Sequence, residues 1–548
     1  MGKHRSGKKR QRGSDPQPLL NLDVGGVSAS AAVGGESIES CLADLEEASN
    51  PLLSTTHTNN EPTTSPITTS NPEPAVTPVG YKRQERVDAW DAAWSSWLNG
   101  GEYQEGLLPC FETELARHFQ VKKLSSFLLD SCRDLKMPAF ERWLLDVKLE
   151  ERQTPSKKKK IAEDPVLPTH TLLLTSASSQ RLMEEIGETG SVEPDQAQTI
   201  VQELIRRTQS ALVEIHSQRL RCGHQTPVKS DKVEIERGSY LVSMLYSRKK
   251  WKSPFIVKIT ISHYEKLQQR FLETHHKVIQ LHDLVASTAS STKQEKRKRK
   301  RVQHSLHLLL MVLTLRYSSF SGGQLLDDFR GGGMQGAINE QGFDVLKEFF
   351  PVVFECFASP LNVTLPFFAS AFEPMLDWHF GSVGDLALCD SFQDGVCGEA
   401  NPPFTPAYME FLSQYISHQL AQADKTDRAL SFVVIIPSVG DNDNKDHKKV
   451  SSAVKRFAAR AHNDMCHSKR CTLHIVLPAK EHGYVEGAQH LRPTRYKRSL
   501  YDTSVILLQS QAAQGNNNFD KTLFEEKIRL AFAERHSEEH QKRQKVEE

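Results

Sequence analysis

The sequence predicts an α/β fold with a Rossmann-like sheet in its second half. Four continuous apolar runs, each bounded by turn residues, have the length of strands buried on both faces: 352–357, 431–437, 472–478 and 504–508. Helical patterns lie between these runs, and this alternation is typical of a sheet flanked by helices. Hydrophobic residues make up 38% and charged residues 25% of the 548 residues, which is close to the composition of a globular protein.

A fifth strand and the helix after it have clear local signals. Residues 396–400 form a short strand pattern, and Thr405 is placed to cap a helix whose first residue is Pro406. An apolar stripe at helical spacing follows over 409–420. Residues 401–404 therefore lie at the carboxyl end of a strand, where open α/β sheets bind their ligands.

The part of the chain before this sheet is predicted to be mainly helical, with strands only over 239–262. Trp90, Trp94 and Trp97 share one face of a helix and are expected in a core. We divide the chain into four parts. They are a disordered basic and Ser/Thr/Pro-rich tail (1–80), a mainly helical accessory domain (81–300), the α/β domain (301–515) and a C-terminal helix or tail (516–548).

Charge and cysteine content exclude several classes of protein. The net charge of +1 excludes a uniformly basic, histone-like protein, although basic runs at 157–160 and 296–301 remain available for nucleic acid or nuclear import. Nine cysteines without regular spacing predict reduced thiols inside the cell. No secretory signal is recognised, and the longest apolar stretch, 306–315, is about half a membrane span. The sequence therefore predicts no membrane partner, and it predicts localisation in the nucleus.

The tetrapeptide Asn401-Pro402-Pro403-Phe404 carries the most specific chemistry. The amino nitrogen of adenine is a poor nucleophile because its lone pair is delocalised into the ring. The side-chain oxygen of Asn401 and the carbonyl of Pro402 can accept its two hydrogens and favour a nitrogen aimed at an electrophilic methyl group. The prolines stiffen the backbone, and Phe404 offers a face on which the base can stack. The alternative is a proline-stiffened turn with a core phenylalanine.

Further motifs extend the pattern on both sides of this tetrapeptide. They are 354–362, 380–382, 399–404, 432–437 and 477–482. In this order and spacing the chain resembles the phosphorylated-CTD-interacting-factor family, the cap-specific adenosine N6-methyltransferases. The likeness is strongest over about 305–510 and weaker over 81–300, where the family has a helical domain.

The resemblance implies methyl transfer from S-adenosylmethionine to N6 of the (2′-O-methyl)adenosine next to the cap at an mRNA 5′ end. It makes 301–515 the methyltransferase catalytic domain and Asn401, Pro402, Pro403 and Phe404 the catalytic residues. Animal members of the family carry a WW module that binds the phosphorylated C-terminal tail of RNA polymerase II. We recognise no such module here, so this partner is left open while the capped mRNA 5′ end is expected.

Four residues are candidates for binding the cofactor. Glu355, Ser359 and Asn362 lie at the end of the 352–357 strand, in the position of a loop that cradles S-adenosylmethionine. Gln335 belongs to a glycine-rich segment, 331–336, whose backbone can approach a ligand closely. The alternatives are a turn-stabilising acid for Glu355 and a plain linker loop for 331–336.

The segment 480–498 is a candidate RNA-binding loop because it mixes cations with aromatic rings just after a strand. Cations suit phosphates, while rings and guanidinium planes suit bases. The candidate substrate-binding residues are Lys480, Glu481, His482, His490 and Arg492. The alternative is a solvated charged loop.

A spacing that superficially suits zinc, H-x3-C-x4-C-x2-H, covers His462, Cys466, Cys471 and His474. Because His474 lies in a predicted strand and no CxxC pair is present, we assign no metal site. Two other functions remain open: a non-catalytic RNA- or partner-binding protein on a methyltransferase scaffold, and an N6-adenine methyltransferase acting on internal RNA or on DNA.

Overall fold

A computed structural model describes most of the chain from residue 78 to residue 533. The described residues are 78–82, 84–104, 107–132, 134–135, 138–153, 164–168, 174–222, 232–238, 241–247, 251–279, 292–323, 336–372, 374–438, 452–487, 490–491, 496–516 and 518–533. Of the two units into which the chain divides, all described residues belong to the second, 60–157 and 163–548. The predicted tail over 1–77 and the basic run 157–160 lie outside the described residues.

The described strands carry the numbers β1 to β13 in chain order. They are β1 (Val79–Tyr81), β2 (Lys232–Arg237), β3 (Leu241–Ser247), β4 (Phe255–Thr260), β5 (Val352–Ala358), β6 (Phe368–Ser370), β7 (Cys389–Phe392), β8 (Val396–Ala400), β9 (Leu430–Pro437), β10 (Cys471–Leu477), β11 (Gly483–Val485), β12 (Tyr496–Arg498) and β13 (Thr503–Gln509).

The longer helices carry the numbers α1 to α11. They are α1 (Gln84–Leu98), α2 (Phe111–Ser131), α3 (Pro138–Gln153), α4 (Ala177–Glu188), α5 (Pro194–Cys222), α6 (Ile261–Thr274), α7 (Lys293–Phe320), α8 (Glu340–Phe349), α9 (Pro406–Lys425), α10 (Ser452–Cys466) and α11 (521–533).

The five strands predicted in the second half are present, and they join one six-stranded sheet with the order β10-β13-β9-β8-β5-β6. Strands β6, β5, β8 and β9 are parallel. Strand β13 inserts antiparallel between β9 and β10. The fold is therefore α/β, as predicted, with a mixed sheet. Its central strands β8, β9 and β13 are buried throughout or nearly so, whereas the edge strand β10 exposes alternate residues.

Helices cover both faces of this sheet. On one face, apolar residues of α9 and α10, such as Leu412 and Met465, pack against Phe432 and Ile506 of the strands. On the other face, residues of α8 and α11, such as Phe343, join a second core with the sheet. The sheet residues alternate between the two cores because neighbouring side chains of a strand point to opposite faces. The resulting three layers fix the positions of the loops at the ends of the strands.

The predicted cap of α9 is confirmed. The Thr405 side-chain oxygen accepts a hydrogen bond from the backbone nitrogen of Tyr408 at 3.3 Å, and Pro406 occupies the first helical position. The hydroxyl satisfies an amide that has no partner within the helix, and proline gives up no hydrogen bond there. The helix therefore begins at a defined residue directly after the 401–404 tetrapeptide.

The first half of the described chain is mainly helical, with a small antiparallel sheet of β2, β3 and β4. Trp94 and Trp97 lie in its core, as predicted, and Trp90 packs against it. Helix α7 runs through the domain boundary that we predicted at 300/301, so the basic run 296–301 lies within a helix rather than in a linker. At the other predicted boundary, Val79 to Tyr81 pair with β7. The division into domains stays a prediction.

Two further sequence expectations concern the whole chain. No helix among the described residues combines the length and the apolar character that a membrane crossing requires. The described cysteines are all free thiols: Cys110, Cys132, Cys356, Cys389, Cys397, Cys466 and Cys471. The prediction of reduced cysteines inside the cell stays a prediction.

Gly398 gives a test of how tightly the sheet packs. A Cβ atom at this position of β8 would lie 2.6 Å from the Phe432 ring and 3.0 Å from the Cys356 sulfur. We expect Gly398→Ala to lower the free energy of unfolding by about 1–3 kcal/mol, because overpacking forces neighbours to shift. Gly187→Ala is the matched control, since a Cβ in that helix meets nothing within 4 Å. It should be neutral or stabilising by up to about 1 kcal/mol in urea unfolding, and equal effects of the two variants would contradict this packing.

Candidate functional site

The chain connections of the parallel strands diverge between β5 and β8. From β5 the chain crosses to β6 on one side, and it then returns to β8 and β9 on the other side. Ligands of open α/β sheets bind beyond the carboxyl ends of the strands at such a switch point. Here those ends are Ala358 and Ala400. They are followed by the 359–366 loop and by the 401–404 tetrapeptide.

A cavity opens at this point. The space within it, part of which is open solvent, is about 670 Å³. Its polar wall comes from both strand ends and from the first half of the chain. The lining residues are Leu145, Arg152, Tyr317, Phe320, Ser321, Gly336, Cys356, Phe357, Ala358, Ser359, Asn362, Ser370, Ala371, Asp385, Leu386, Asn401, Pro403 and Tyr408.

Asn401 lines this cavity with its amide held in one orientation. The Asn401 nitrogen Nδ2 donates to the backbone oxygen of Gly336 at 3.0 Å, and the residue is 7% exposed. With the nitrogen engaged in this way, the amide presents its oxygen, which can only accept. The Pro403 carbonyl is also engaged, because it accepts from the Thr405 backbone nitrogen at 2.7 Å. The carbonyl of Pro402, the second predicted acceptor, comes directly after Asn401 in the chain.

Phe404 lies beside the cavity rather than in its lining. Its half-buried ring makes edge contacts with Tyr484 at 6.1 Å and with Tyr501 at 6.2 Å between centroids. It also packs against the cores on both faces of the sheet. Phe404 therefore has the core contacts of the alternative interpretation, and its role as a stacking surface for a base stays a prediction.

Two of the predicted cofactor-binding residues, Ser359 and Asn362, form one turn at the cavity wall. The Asn362 oxygen Oδ1 accepts from the Ser359 backbone nitrogen at 2.6 Å and from its hydroxyl at 2.9 Å. This side-chain-to-backbone bond fixes the loop after β5. Gln335 lies outside the described residues, although its neighbour Gly336 reaches the cavity.

Glu355 is not in the cavity lining. Its Oε2 accepts from the backbone nitrogens of Thr364 and Leu365 at 3.0 and 3.1 Å, so that it holds the loop beside the cavity. This is the turn-stabilising role that the sequence left open. On the neighbouring strand, the buried Glu399 stands opposite Glu355. Burial raises the pKa of Glu399 well above its usual range, and the Glu355 carboxylate raises it further. Burial also raises the pKa of Glu355, but the two backbone amides that it accepts from lower it, so Glu399 is the member of the pair that the site favours in its protonated form.

Isosteric substitutions separate the two carboxyls. Glu399→Gln mimics a protonated acid, so we expect its free energy of unfolding at pH 7 to be at least that of the wild type. Glu355→Gln replaces the anionic acceptor of two buried amides and should destabilise by about 1–3 kcal/mol. The folded-state pKa of Glu399 is raised, so its stabilising contribution is present below the unfolded pKa and declines as pH rises. Glu399→Gln should therefore flatten the fall of unfolding free energy above about pH 5, measured by urea unfolding. Identical pH profiles for wild type and Glu399→Gln would contradict this assignment.

Sequence reasoning missed Arg152, which pairs with Asp385 at the cavity. Arg152 extends from α3, where its guanidinium pairs with Asp385 Oδ2 at 2.5 Å and donates to the Ala371 carbonyl. Asp385 Oδ1 accepts from the Ala387 backbone nitrogen at 3.0 Å, so that the acid also stabilises a turn. No local signal marks Arg152, because it is more than 200 residues from its partner. Tyr408 also lines the cavity. Because it lies in the first turn of the helix directly after the tetrapeptide, its position near the site could have been predicted from the sequence.

The predicted substrate-binding residues are divided between the surface and the interior. Lys480 and Glu481 are exposed, whereas His482 and His490 are buried. His482 Nδ1 lies 2.7 Å from the Pro478 oxygen, and its Nε2 lies 2.7 Å from the Thr503 hydroxyl. These buried imidazoles are not part of an exposed RNA-binding loop, because protein groups enclose them. Arg492 lies outside the described residues.

The fold and the site define the chain as an α/β protein with a cavity at the switch point of a mixed sheet. Residues 277–487 match the family described as "Phosphorylated CTD interacting factor 1 WW domain". The chain is also 33% identical over 204 residues to the "mRNA (2'-O-methyladenosine-N(6)-)-methyltransferase" of Homo sapiens and, to the same extent, to that of Mus musculus. Each alignment covers 36% of this chain and 25% of the relative. The chain therefore spans about a quarter of the length of the curated relatives it matches.

The family match corrects one sequence expectation. We predicted that the chain has no WW module, but the matching family is described by that domain, so this prediction is wrong. The matched residues include β5, β8 and β9 of the sheet and the tetrapeptide 401–404.

Proposed function

We propose that the protein belongs to the phosphorylated-CTD-interacting-factor family and methylates N6 of the cap-adjacent (2′-O-methyl)adenosine of mRNA, with S-adenosylmethionine as the methyl donor. The observation that carries the proposal is the position of Asn401, which lines a cavity beyond the ends of β5 and β8 and whose Nδ2 is bonded to the Gly336 oxygen. The similarity to two methyltransferases supports the same reaction.

The chemistry of the cavity lining suits S-adenosylmethionine. This cofactor combines a sulfonium cation, an amino acid group and an adenosine. Among the described lining residues, Asp385 is the carboxylate and Arg152 the cation. The charge of Asp385 is opposite to that of the sulfonium and the ammonium group of the ligand, and the charge of Arg152 is opposite to that of its carboxylate. Tyr317, Phe357 and Tyr408 supply rings that attract a cation or cover a flat base. When bound, the cofactor supplies an electrophilic methyl group.

The residues of this chain would hold the acceptor base. Asn401 Oδ1 and the Pro402 carbonyl accept the two amino hydrogens of adenine, which weakens conjugation of the nitrogen with the ring. The prolines restrict the backbone, so that these oxygens need little reorganisation during the reaction. The bond from Asn401 Nδ2 to Gly336 prevents the amide from turning its nitrogen toward the base. The position of these oxygens relative to the adenine amino group is then fixed by the protein and not by solvent.

Capped mRNA as substrate, the phosphorylated polymerase tail as partner and the nucleus as location complete the proposal. Lys480 is exposed beyond the end of β10. The resemblance supports the tail as partner. Basic runs at 157–160 and 296–301 suit nuclear import.

Product analysis tests this function. The protein is incubated with S-adenosylmethionine and a capped RNA that begins with 2′-O-methyladenosine, and the RNA is digested to nucleosides for mass spectrometry. We expect N6,2′-O-dimethyladenosine from the cap-adjacent position. N6-methyladenosine from internal positions, or from a DNA oligonucleotide, would favour the internal substrate instead. RNA binding without any methylated product would favour a non-catalytic binding protein.

A further inference from the structure

Three side chains that could bind a metal converge outside the cavity. His462 and Cys466 lie one turn apart on α10, so they share a face of the helix. His474 reaches them from the edge strand β10. The ligand atoms of these three residues all lie within 4.8 Å of one another. Cys471, the fourth residue of the spacing seen in the sequence, is excluded, because its sulfur contacts the Leu473 oxygen instead.

The distances suit a tetrahedral ion. The Cys466 sulfur lies 3.7 Å from His462 Nε2 and 3.8 Å from His474 Nε2. Bonds of about 2.3 Å to sulfur and 2.0–2.1 Å to nitrogen place the two ligand atoms about 3.5 Å apart in a tetrahedron. The observed separations therefore need only a small contraction. The buried Ser504 hydroxyl of β13 lies next to both imidazoles, 2.8 Å from His462 Nε2 and 2.9 Å from His474 Nε2.

We propose that His462, Cys466 and His474 bind a Zn²⁺ ion, with the Ser504 hydroxyl or a water molecule as the fourth ligand. Two imidazoles and a thiolate are ligands that zinc favours, and zinc adds no redox chemistry. His462 is buried, while His474 is exposed and leaves a path by which the ion can enter.

The site would have a structural role separate from the proposed methyl transfer. Among the described strands, β10 is the edge of the sheet and pairs with β13 alone. An ion held by α10 and β10 would join the helix to this edge strand, and the Ser504 contact would include β13.

Metal analysis of the full chain tests the site. The untagged protein, purified without chelator, is equilibrated with micromolar Zn²⁺ and passed through a desalting column before mass spectrometry of its metals. We expect one zinc per chain, and a rise in thermal midpoint that depends on zinc. We expect a Co²⁺-loaded sample to show a thiolate charge-transfer band in the near ultraviolet.

Three variants locate the ion. Cys466→Ser should abolish the Co²⁺ band, and His474→Gln, at an exposed position, should weaken zinc binding by more than about 100-fold, the upper end of what an outer-shell change costs. Cys471→Ser is the matched control and should keep both the zinc and the band. The proposal is overturned if the wild type holds no stoichiometric metal or if His474→Gln holds zinc as tightly. Copper in place of zinc would overturn the choice of metal. Failure of methyl transfer would leave all these readouts unchanged.

Discussion

Asn401→Ala should reduce methyl transfer by at least about 10²- to 10³-fold, the loss expected when one preorganised polar contact to the reacting group is removed. Its amide oxygen is the acceptor that Gly336 fixes at the cavity. Cofactor affinity should change little, because the proposed partner of this oxygen is the acceptor base. The measurement is the single-turnover rate with labelled cofactor, together with cofactor binding by calorimetry.

The control for this variant is Asn518→Ala. This substitution removes an exposed side-chain amide that lies outside the 401–404 tetrapeptide and the cavity lining. It should leave both the rate and the affinity unchanged. A normal rate in Asn401→Ala would contradict the assigned role. A loss of cofactor binding equal to the loss of rate would move Asn401 from the base to the cofactor.

Asp385→Asn should weaken S-adenosylmethionine binding by about 10- to 100-fold. The substitution removes the negative charge of the cavity wall and leaves the Arg152 guanidinium without its ion partner. Asparagine keeps an oxygen for the Ala387 amide, so the turn should persist. The affinity is measured by calorimetry with the cofactor and with its demethylated product. A larger loss for the sulfonium than for the neutral product would show that the missing charge acts on the methyl-donor end.

Asp390→Asn is the control for charge alone, because Asp390 is an exposed acid on the nearby strand β7. It should bind the cofactor with wild-type affinity. If Asp385→Asn binds equally well, the charged pair is only a structural link between α3 and the cavity wall, and the proposed cofactor contact is wrong.

Local patterns predicted the strands and the cap of α9. Buried strands such as β9 need continuous apolar runs, and Thr405 with Pro406 carries its own signal for a helix start. Tertiary contacts could not be read in this way. Helix α7 continues through a basic run that we had taken for a boundary, since its later turns are buried and a capping box starts it at Thr292.

The candidate site was predicted where it follows from strand ends, as for Ser359, Asn362 and Asn401. It was missed where distant segments meet, as for Arg152, which α3 brings to Asp385. The buried positions of His482 and His490 were also missed, because a run of charged residues does not show which side chains turn inward. The convergence of His462, Cys466 and His474 likewise depends on how α10 packs on β10.

The central claim is transfer of a methyl group to a cap-adjacent adenosine. The most direct test compares initial rates of transfer from labelled S-adenosylmethionine to three RNAs that differ only at the 5′ end: capped and beginning with A, uncapped and beginning with A, and capped and beginning with G. This account predicts rapid transfer to the capped A-RNA and little to the other two. Transfer to the uncapped RNA as fast as to the capped A-RNA would contradict it.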